Sequence, residues 1–196
     1  MDFPELDDDK IKVGIQLREW KDLNNKTLDI IKNTLVKNFD KNYQFILISL
    51  QDSQDLETLD KLETKLQLSG TESVIFSGLT VDKAVSLISK LDINIAMRYH
   101  ACLISIKYGI PTLALSYDPK VSSLAEEAGV PFLDINNLNE EGLSVKIKEL
   151  IEKKEYYRDI LKEFSIKNEL KSRQNFDLLI KIIDTNGLLK SGEMME

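Results

Sequence analysis

The residues with the clearest chemical potential are Arg98 and His100, which are separated by one position in the chain. An arginine binds a carboxylate or a phosphate through two parallel hydrogen bonds. His100 is the only histidine, and its ordinary pKa near neutrality makes it the default general acid or base. The pair therefore indicates an anion site with a proton donor. The spacing alone leaves another interpretation open, in which Arg98 pairs with an acidic neighbour and His100 is a half-buried helix residue.

Two further cations could join such a site. Arg18 follows the first apolar run of the chain, and Lys120 ends the polar segment SYDPK at positions 116–120. Each has an ordinary alternative, because Arg18 could pair with a carboxylate in its loop and Lys120 could be a solvated surface lysine. Trp20 could stack on a ligand or simply pack beside the strand.

The composition argues against several other kinds of site. One cysteine and one histidine cannot build a Cys/His zinc site. Cys102 is interpreted as a small buried hydrophobic residue, since His100 is the only base that could activate it as a nucleophile. The acidic run at positions 7–9 is typical of a solvated linker, so no metal site is predicted. No G-x-G-x-x-G or phosphate-loop sequence occurs, and dinucleotide-binding and nucleoside-triphosphate-hydrolysing proteins need one.

Charge and hydropathy limit the partners. The formal net charge is -7 and the lysines are interspersed with acidic residues, which argues against nucleic acid as a partner. No apolar run approaches the roughly 20 residues of a transmembrane helix, and the N-terminus is acidic where a signal peptide is basic and then apolar. These features predict a cytoplasmic protein without a transmembrane segment.

The elements that must position these residues alternate along the chain. Apolar, β-branched runs predict six strands, and segments with apolar residues at helical spacing separate them. This alternation predicts an α/β fold, a three-layer doubly wound parallel sheet of the Rossmann-like kind. Ligands bind outside the carboxyl ends of the strands in such a sheet, so the loops after four strands should form the site. The predicted strands are 11–17, 43–50, 73–76, 93–97, 112–116 and 131–134.

The length of 196 residues predicts one domain with one core. Residues 1–10 are predicted to be an acidic leader or linker and residues 11–185 the Rossmann-like domain. Within that domain, residues 138–185 should be helical and cover one edge of the sheet. Residues 186–196 are predicted to be a flexible tail.

Residues 93–130 resemble the signature of polysaccharide pyruvyl transferases, which is M-R-L-H-A, a helix, G-(I/V)-P and then S-Y-D-P-K-V. The similarity is greatest to the type that modifies the polymer anchoring bacterial surface-layer proteins. The opening segment VGIQLREW also resembles the family pattern G-(I/V)-S-(L/V)-R-x-W, so the resemblance runs from about Lys12 to about Leu150. Tyr99 departs from the pattern, which usually has leucine there.

The resemblance implies the C-terminal half of a two-domain enzyme similar to GT-B glycosyltransferases. Phosphoenolpyruvate would be the donor, with no cofactor, and a lipid-linked or polymeric saccharide would be the acceptor. The product would be a 4,6-linked pyruvate ketal on a sugar similar to N-acetylmannosamine. An N-terminal half is expected elsewhere, either because the chain is an excised domain or because a partner chain supplies it. A lipid-linked acceptor would bring the protein to the inner face of the membrane.

The resemblance also implies roles for individual residues. His100 would protonate the donor's methylene carbon, Arg98 and Lys120 would hold its carboxylate and phosphate, and Arg18 would add charge. Substrate contacts are further expected from the SYDPK segment, namely from Ser116, Tyr117 and Asp118.

Two alternative functions stay open. One is a nucleotide-sugar enzyme of the same architecture, either a GT-B glycosyltransferase or a relative of UDP-N-acetylglucosamine 2-epimerase. Those enzymes usually carry a ribose-binding glutamate and a glycine pair, and neither is found near the predicted fourth and fifth strands. The other is a non-catalytic anion-binding or assembly module.

Overall fold

The computed structural model describes residues 2–21 and 23–185. The predicted tail at 186–196 lies outside the described residues. The strands are β1 (Ile11–Gln16), β2 (Tyr43–Ile48), β3 (Ser73–Phe76), β4 (Ile93–Ala96), β5 (Thr112–Ser116) and β6 (Phe132–Asp134). The helices are α1 (Asn25–Asn38), α2 (Asp52–Gln67), α3 (Val81–Ile88), α4 (Tyr99–Lys107), α5 (Pro119–Ala128), α6 (Glu140–Glu152) and α7 (Lys154–Thr185).

The six strands form one parallel sheet in the order β3-β2-β1-β4-β5-β6. All residues of β4 and β5 are buried, as expected for strands covered by helices on both faces. β1 and β4 lie side by side at the centre, so the chain runs outward from them in opposite directions. The gap between the loops that follow these two strands is where such sheets bind ligands. The predicted doubly wound α/β fold is confirmed.

The helices cover both faces of the sheet. α1, α2 and α6 pack together on one face, whereas α3, α4, α5 and α7 pack together on the other. Helices form within 138–185, as the sequence predicted: α6 contacts β5 and the edge strand β6, and α7 contacts α4 and α5. Lys153 lies between the two helices. α6 buries Leu143 and Ile147 on the first face, whereas α7 buries Tyr157 and Leu161 on the second.

A buried hydrogen-bond chain fixes α4, the helix that carries His100, to the central sheet. Asn94 in β4 donates to the Ser105 hydroxyl at 2.6 Å, and Ser105 donates to the carbonyl oxygen of Ala101 at 2.9 Å. Gly14 in β1 leaves the room for this chain, because a β-carbon there would lie 2.7 Å from the Asn94 side-chain oxygen. The chain of hydrogen bonds thus fixes α4 to β4 in the interior of the domain.

The acidic leader packs onto the domain. Phe3 meets Phe76 edge to face with ring centroids 5.6 Å apart. The side chain of Gln44 accepts from the backbone N–H of Asp7 at 3.0 Å and donates to the carbonyl oxygen of Glu5 at 2.9 Å. These contacts place residues 3–7 against β2 and β3.

Candidate active site

Arg98 follows β4 directly and is held by a buried carboxylate. Its Nε lies 3.0 and 3.1 Å from the two carboxylate oxygens of Asp55, and its Nη2 donates to the same group. The Asp55 side chain is 0% exposed and that of Arg98 is 12% exposed. Asp55 also accepts the backbone N–H groups of Leu50 and Gln51 at 3.0 and 2.9 Å. The ion pair therefore joins the ends of β2 and β4 and fixes the guanidinium.

Gln54 connects Arg98 to Arg18. Its side-chain oxygen accepts from Arg18 Nη2 at 2.6 Å and from Arg98 Nη2 at 3.3 Å. Gln51 accepts from Arg98 Nη1 at 3.2 Å. Arg18 and Arg98, from the loops after β1 and β4, thus donate to the same oxygen atom of Gln54 at the predicted edge of the sheet.

Arg18 also contacts the loop after β5. Its Nη1 donates to the Tyr117 hydroxyl at 3.1 Å, and its guanidinium carbon lies 5.1 Å from the centre of the Tyr117 ring. No described carboxylate lies within salt-bridge distance of Arg18. Because Asp55 balances the charge of Arg98, Arg18 supplies the uncompensated positive charge of the cluster formed by Arg18, Gln54, Asp55, Arg98 and Tyr117, called here the arginine cluster.

His100 stands in the first turn of α4 and is exposed. Its ring meets that of Tyr99 edge to face, with centroids 5.7 Å apart. Arg98 and His100 line the same cleft of about 430 Å³, whose remaining walls are Leu50, Gln51, Leu79, Val81, Ala84 and Ile104. The predicted pair therefore shares one cavity, which is otherwise lined mainly by apolar side chains.

The beginning of α4 adds electrostatic attraction for an anion. Arg98 is the N-cap residue, and its side chain makes no capping hydrogen bond. The first N–H groups of a helix lack partners inside the helix and form its positive end. An anion in the cleft would lie beside both this end and the arginine cluster.

The polar segment after β5 is organised around the start of α5. Asp118 caps the helix by accepting the Lys120 backbone N–H at 3.0 Å, and it lies 3.7 Å from Lys120 Nζ. Ser116 donates to the carbonyl oxygen of Asp118 at 3.1 Å. The Lys120 side chain is 57% exposed, and within the described residues no contact joins it to Arg98 or His100. Of the four predicted residues in this segment, Tyr117 contacts the arginine cluster. Ser116, Asp118 and Lys120 contact one another.

Two residues of the cluster, Gln54 and Asp55, were not among the predicted site residues. A signal for Asp55 exists in the sequence, because it shares the buried stripe of α2 with Leu59, Leu62 and Leu66. A carboxylate in such a stripe requires a buried cationic partner. Gln54 offers no comparable signal.

Cys102 is a buried residue of α4, as predicted. Its Sγ lies 3.5 Å from the carbonyl oxygen of Ala96, and burial raises the pKa of the thiol to about 12. A thiol reacts as the thiolate. Cys102 is therefore unsuited to be a nucleophile.

We expect Cys102 in the folded chain to resist a thiol-specific reagent at pH 8, because the thiolate is scarce and inaccessible. The measurement is the rate of chromophore release from a disulfide reagent with and without denaturant. Labelling should become rapid only when the chain unfolds. Rapid stoichiometric labelling of the native chain would contradict the buried, protonated thiol.

The sequence model of the polysaccharide pyruvyl transferase family matches residues 3–119. This segment is more than half of the chain and contains Arg18, Gln54, Asp55, Arg98 and His100. The chain belongs to the polysaccharide pyruvyl transferase family. The match ends one residue before Lys120, so the whole arginine cluster lies inside the matched segment. No curated protein sequence matches the chain.

Solved structures similar to this chain share its fold at low identity. UDP-GlcNAc 2-epimerase from Neisseria meningitidis, bound to UDP-GlcNAc, has a TM-score of 0.63 and 18% identity over 91% of this chain and 46% of that one. MnaA from S. aureus with UDP has a TM-score of 0.59 and 12% identity, and the match covers 79% of this chain and 40% of MnaA. The C-terminal domain of the group 1 glycosyl transferase LpcC from Francisella tularensis has a TM-score of 0.55 and 14% identity. The match covers 79% of this chain and 82% of the LpcC domain.

The chain thus spans less than half the length of the first two of these structures. Its fold is that of GT-B glycosyltransferases and epimerases. In the part of the chain that the structure describes, no helix is both long and apolar enough to cross a membrane.

Proposed function

We propose that this chain is the donor-binding domain of a transferase that moves the enolpyruvyl group of phosphoenolpyruvate onto a saccharide as a 4,6-ketal. The observation that carries the proposal is the arginine cluster beside His100, at the carboxyl ends of β1 and β4. The family match supports the reaction class. By resemblance, the acceptor sugar is similar to N-acetylmannosamine and belongs to a polymeric or lipid-linked saccharide.

The cluster suits a small ligand that carries a carboxylate and a phosphate. Asp55 neutralises Arg98 and fixes its direction, while the Nη1 edge of Arg98 faces Gln51 at the cleft. Arg18 contributes net positive charge. The donor's carboxylate binds between the two arginines, and its phosphate lies towards the start of α4. Lys120, mobile on its long exposed side chain, completes the phosphate contacts.

The proposed reaction conserves atoms and protons. His100 gives one proton to the methylene carbon, which leaves positive charge on the neighbouring carbon. A sugar hydroxyl oxygen bonds to that carbon and its proton returns to His100. The bond to the phosphate oxygen breaks, and a second hydroxyl bonds to the same carbon while its proton leaves on the phosphate. One phosphoenolpyruvate and one diol give one ketal and one phosphate, so His100 is regenerated.

An acceptor must reach this edge from outside the domain. The chain spans less than half the length of its structural relatives UDP-GlcNAc 2-epimerase and MnaA. An N-terminal half facing the cleft, on the same chain or on a partner, supplies the acceptor contacts and excludes water. The isolated domain therefore binds donor but needs that half for transfer.

Calorimetric titration of the chain with phosphoenolpyruvate tests the donor site. We expect saturable binding that weakens about tenfold or more in Arg18→Ala. Arg18 is the better choice for this test than Arg98, since loss of Arg98 would leave Asp55 buried without its partner. Arg173→Ala is the matched control, because Arg173 forms an exposed ion pair with Glu169 on α7.

The titration also separates the donor from a nucleotide sugar. UDP-N-acetylglucosamine should give no saturable heat under the same conditions. Selective binding of that compound would replace the proposal with a nucleotide-sugar function. Equal phosphoenolpyruvate affinity in the parent and Arg18→Ala would remove the arginine cluster from the donor site.

A further inference from the structure

A second concave site lies beside the arginine cluster and is not used by the proposed chemistry. It is a groove of about 710 Å³ between the loop after β1, the start of α1 and the middle of α2. We call it the Trp20 groove. Its walls are Glu19, Trp20, Lys21, Leu23, Asn24, Asn25, Leu28, Glu57, Thr58 and Lys61.

The described residues that line the groove carry balanced charges. Glu19 and Glu57 carry two negative charges, and Lys21 and Lys61 carry two positive charges. Glu57 and Lys61 form an ion pair at 2.6 Å, and the Lys61 ammonium lowers the pKa of the Glu57 carboxyl. The described lining residues carry no excess positive charge, so the groove gives an anion no advantage, in contrast to the arginine cluster. It favours a neutral ligand with many hydrogen-bonding groups.

An aromatic ring and amide groups supply the other contacts. Trp20 is half-buried and lines the groove, and its Nε1 is buried without a hydrogen-bond partner among the described residues. Asn24 uses its side-chain oxygen to accept the Thr27 backbone N–H at 3.1 Å, and its amino group has no hydrogen-bond partner among the described residues. Asn25 is exposed. A sugar ring has an apolar C–H face that suits an aromatic side chain, and its hydroxyls pair with amides and carboxylates.

The groove and the arginine cluster share a wall. The Trp20 ring packs against that of Tyr117 with centroids 4.8 Å apart, and Tyr117 accepts a hydrogen bond from Arg18. The backbone N–H of Glu19 donates to the carbonyl oxygen of Gln54 at 2.6 Å. Gln54 and Lys61 are seven residues apart on α2 and so face the same side of the helix. One short loop therefore separates the proposed donor site from this polar groove.

We propose that the Trp20 groove is a saccharide subsite, which binds a neutral sugar residue of the acceptor next to the one that receives pyruvate. This inference rests on the proposed function, because only a polymeric or lipid-linked acceptor would extend beyond the reacting sugar. The subsite would position the acceptor chain from the donor half of the enzyme and would favour oligosaccharides over single sugars.

Trp20 is the only tryptophan of the chain, so intrinsic fluorescence reports on this groove directly. We would titrate the full chain with neutral trisaccharides of N-acetylhexosamines and of hexoses, with uridine as a competing ring ligand. A saturable fluorescence change is expected with at least one trisaccharide at a Kd of ~1 mM. The affinity should fall about fivefold or more in Asn25→Ala and in Glu57→Ala, because each removes a hydrogen-bonding group from the groove. Glu169→Ala, which breaks an exposed ion pair of the same spacing on α7, should bind like the parent.

Three results would overturn the subsite: no fluorescence change with any trisaccharide, equal affinity in all variants, or a response to uridine alone. Phosphoenolpyruvate binding, measured by calorimetry in the same proteins, should be the same in Asn25→Ala and Glu57→Ala as in the parent. Saccharide binding without phosphoenolpyruvate binding would support the groove and reject the donor assignment. The two proposals can thus fail separately.

Discussion

Replacement of His100 by alanine is expected to lower pyruvyl transfer by about two to four orders of magnitude, while the Kd for phosphoenolpyruvate stays within about twofold of the parent. His100 is exposed in the first turn of α4 and shares a cleft with Arg98, but it is not part of the arginine cluster. Its removal should therefore delete the proton donor and keep the anion site. The measurements are phosphate release by the full-length protein with a saccharide acceptor and calorimetric titration of the donor.

Tyr99→Leu is the matched control for His100. Tyr99 adjoins His100, its ring meets the imidazole, and leucine is the residue that the family pattern usually has there. Transfer by this variant should stay close to that of the parent. Full activity in His100→Ala would reject the role of His100 as the acid, and equal loss of donor binding and turnover would show that His100 binds rather than protonates.

The fold could be predicted because its signals are local. Continuous apolar runs at 43–50 and 93–97 became buried parallel strands, shortened by two residues and one residue at their ends. Gly109 and Gly129, with φ of 69° and 71°, end α4 and α5 as expected for left-handed helix ends. The placement of α6 and α7 on opposite faces could not be predicted, since it depends on which helices their apolar stripes meet.

The candidate site was predicted in part. Placing Arg18, Arg98 and Tyr117 at one edge needed only the rule that parallel strands present their carboxyl ends together. Pairing Arg98 with Asp55 needed the tertiary structure, because 43 positions separate the two residues. The alternative interpretation, in which Arg98 pairs with an acidic residue, is also correct, because Arg98 forms an ion pair with Asp55. Arg98 nevertheless lines the cleft.

The Arg98–Asp55 pair couples the stability of this edge to the direction of the Arg98 guanidinium. The Asp55 carboxylate satisfies two backbone N–H groups at the start of α2 as well as the guanidinium. Removal of either partner leaves the other charged and largely buried, which costs more than the pair contributes. The ion pair thus makes the direction of Arg98 a condition of folding rather than of ligand binding.

We expect Asp55→Ala to lower the free energy of unfolding by about 3–5 kcal/mol, measured by urea denaturation. Asp55→Asn should cost less, because its side-chain oxygen can still accept the N–H groups of Leu50 and Gln51. Glu57→Ala, two positions along the same helix in an exposed pair with Lys61, should change stability little. In a double-mutant cycle, Arg98→Met should restore part of the stability lost in Asp55→Asn, because no unpaired guanidinium is then buried. Two results would contradict this role of the pair: additive losses of unfolding free energy in the cycle, or an Asp55→Ala variant as stable as the parent. Either result would mean that the ligand, and not Asp55, sets the direction of Arg98.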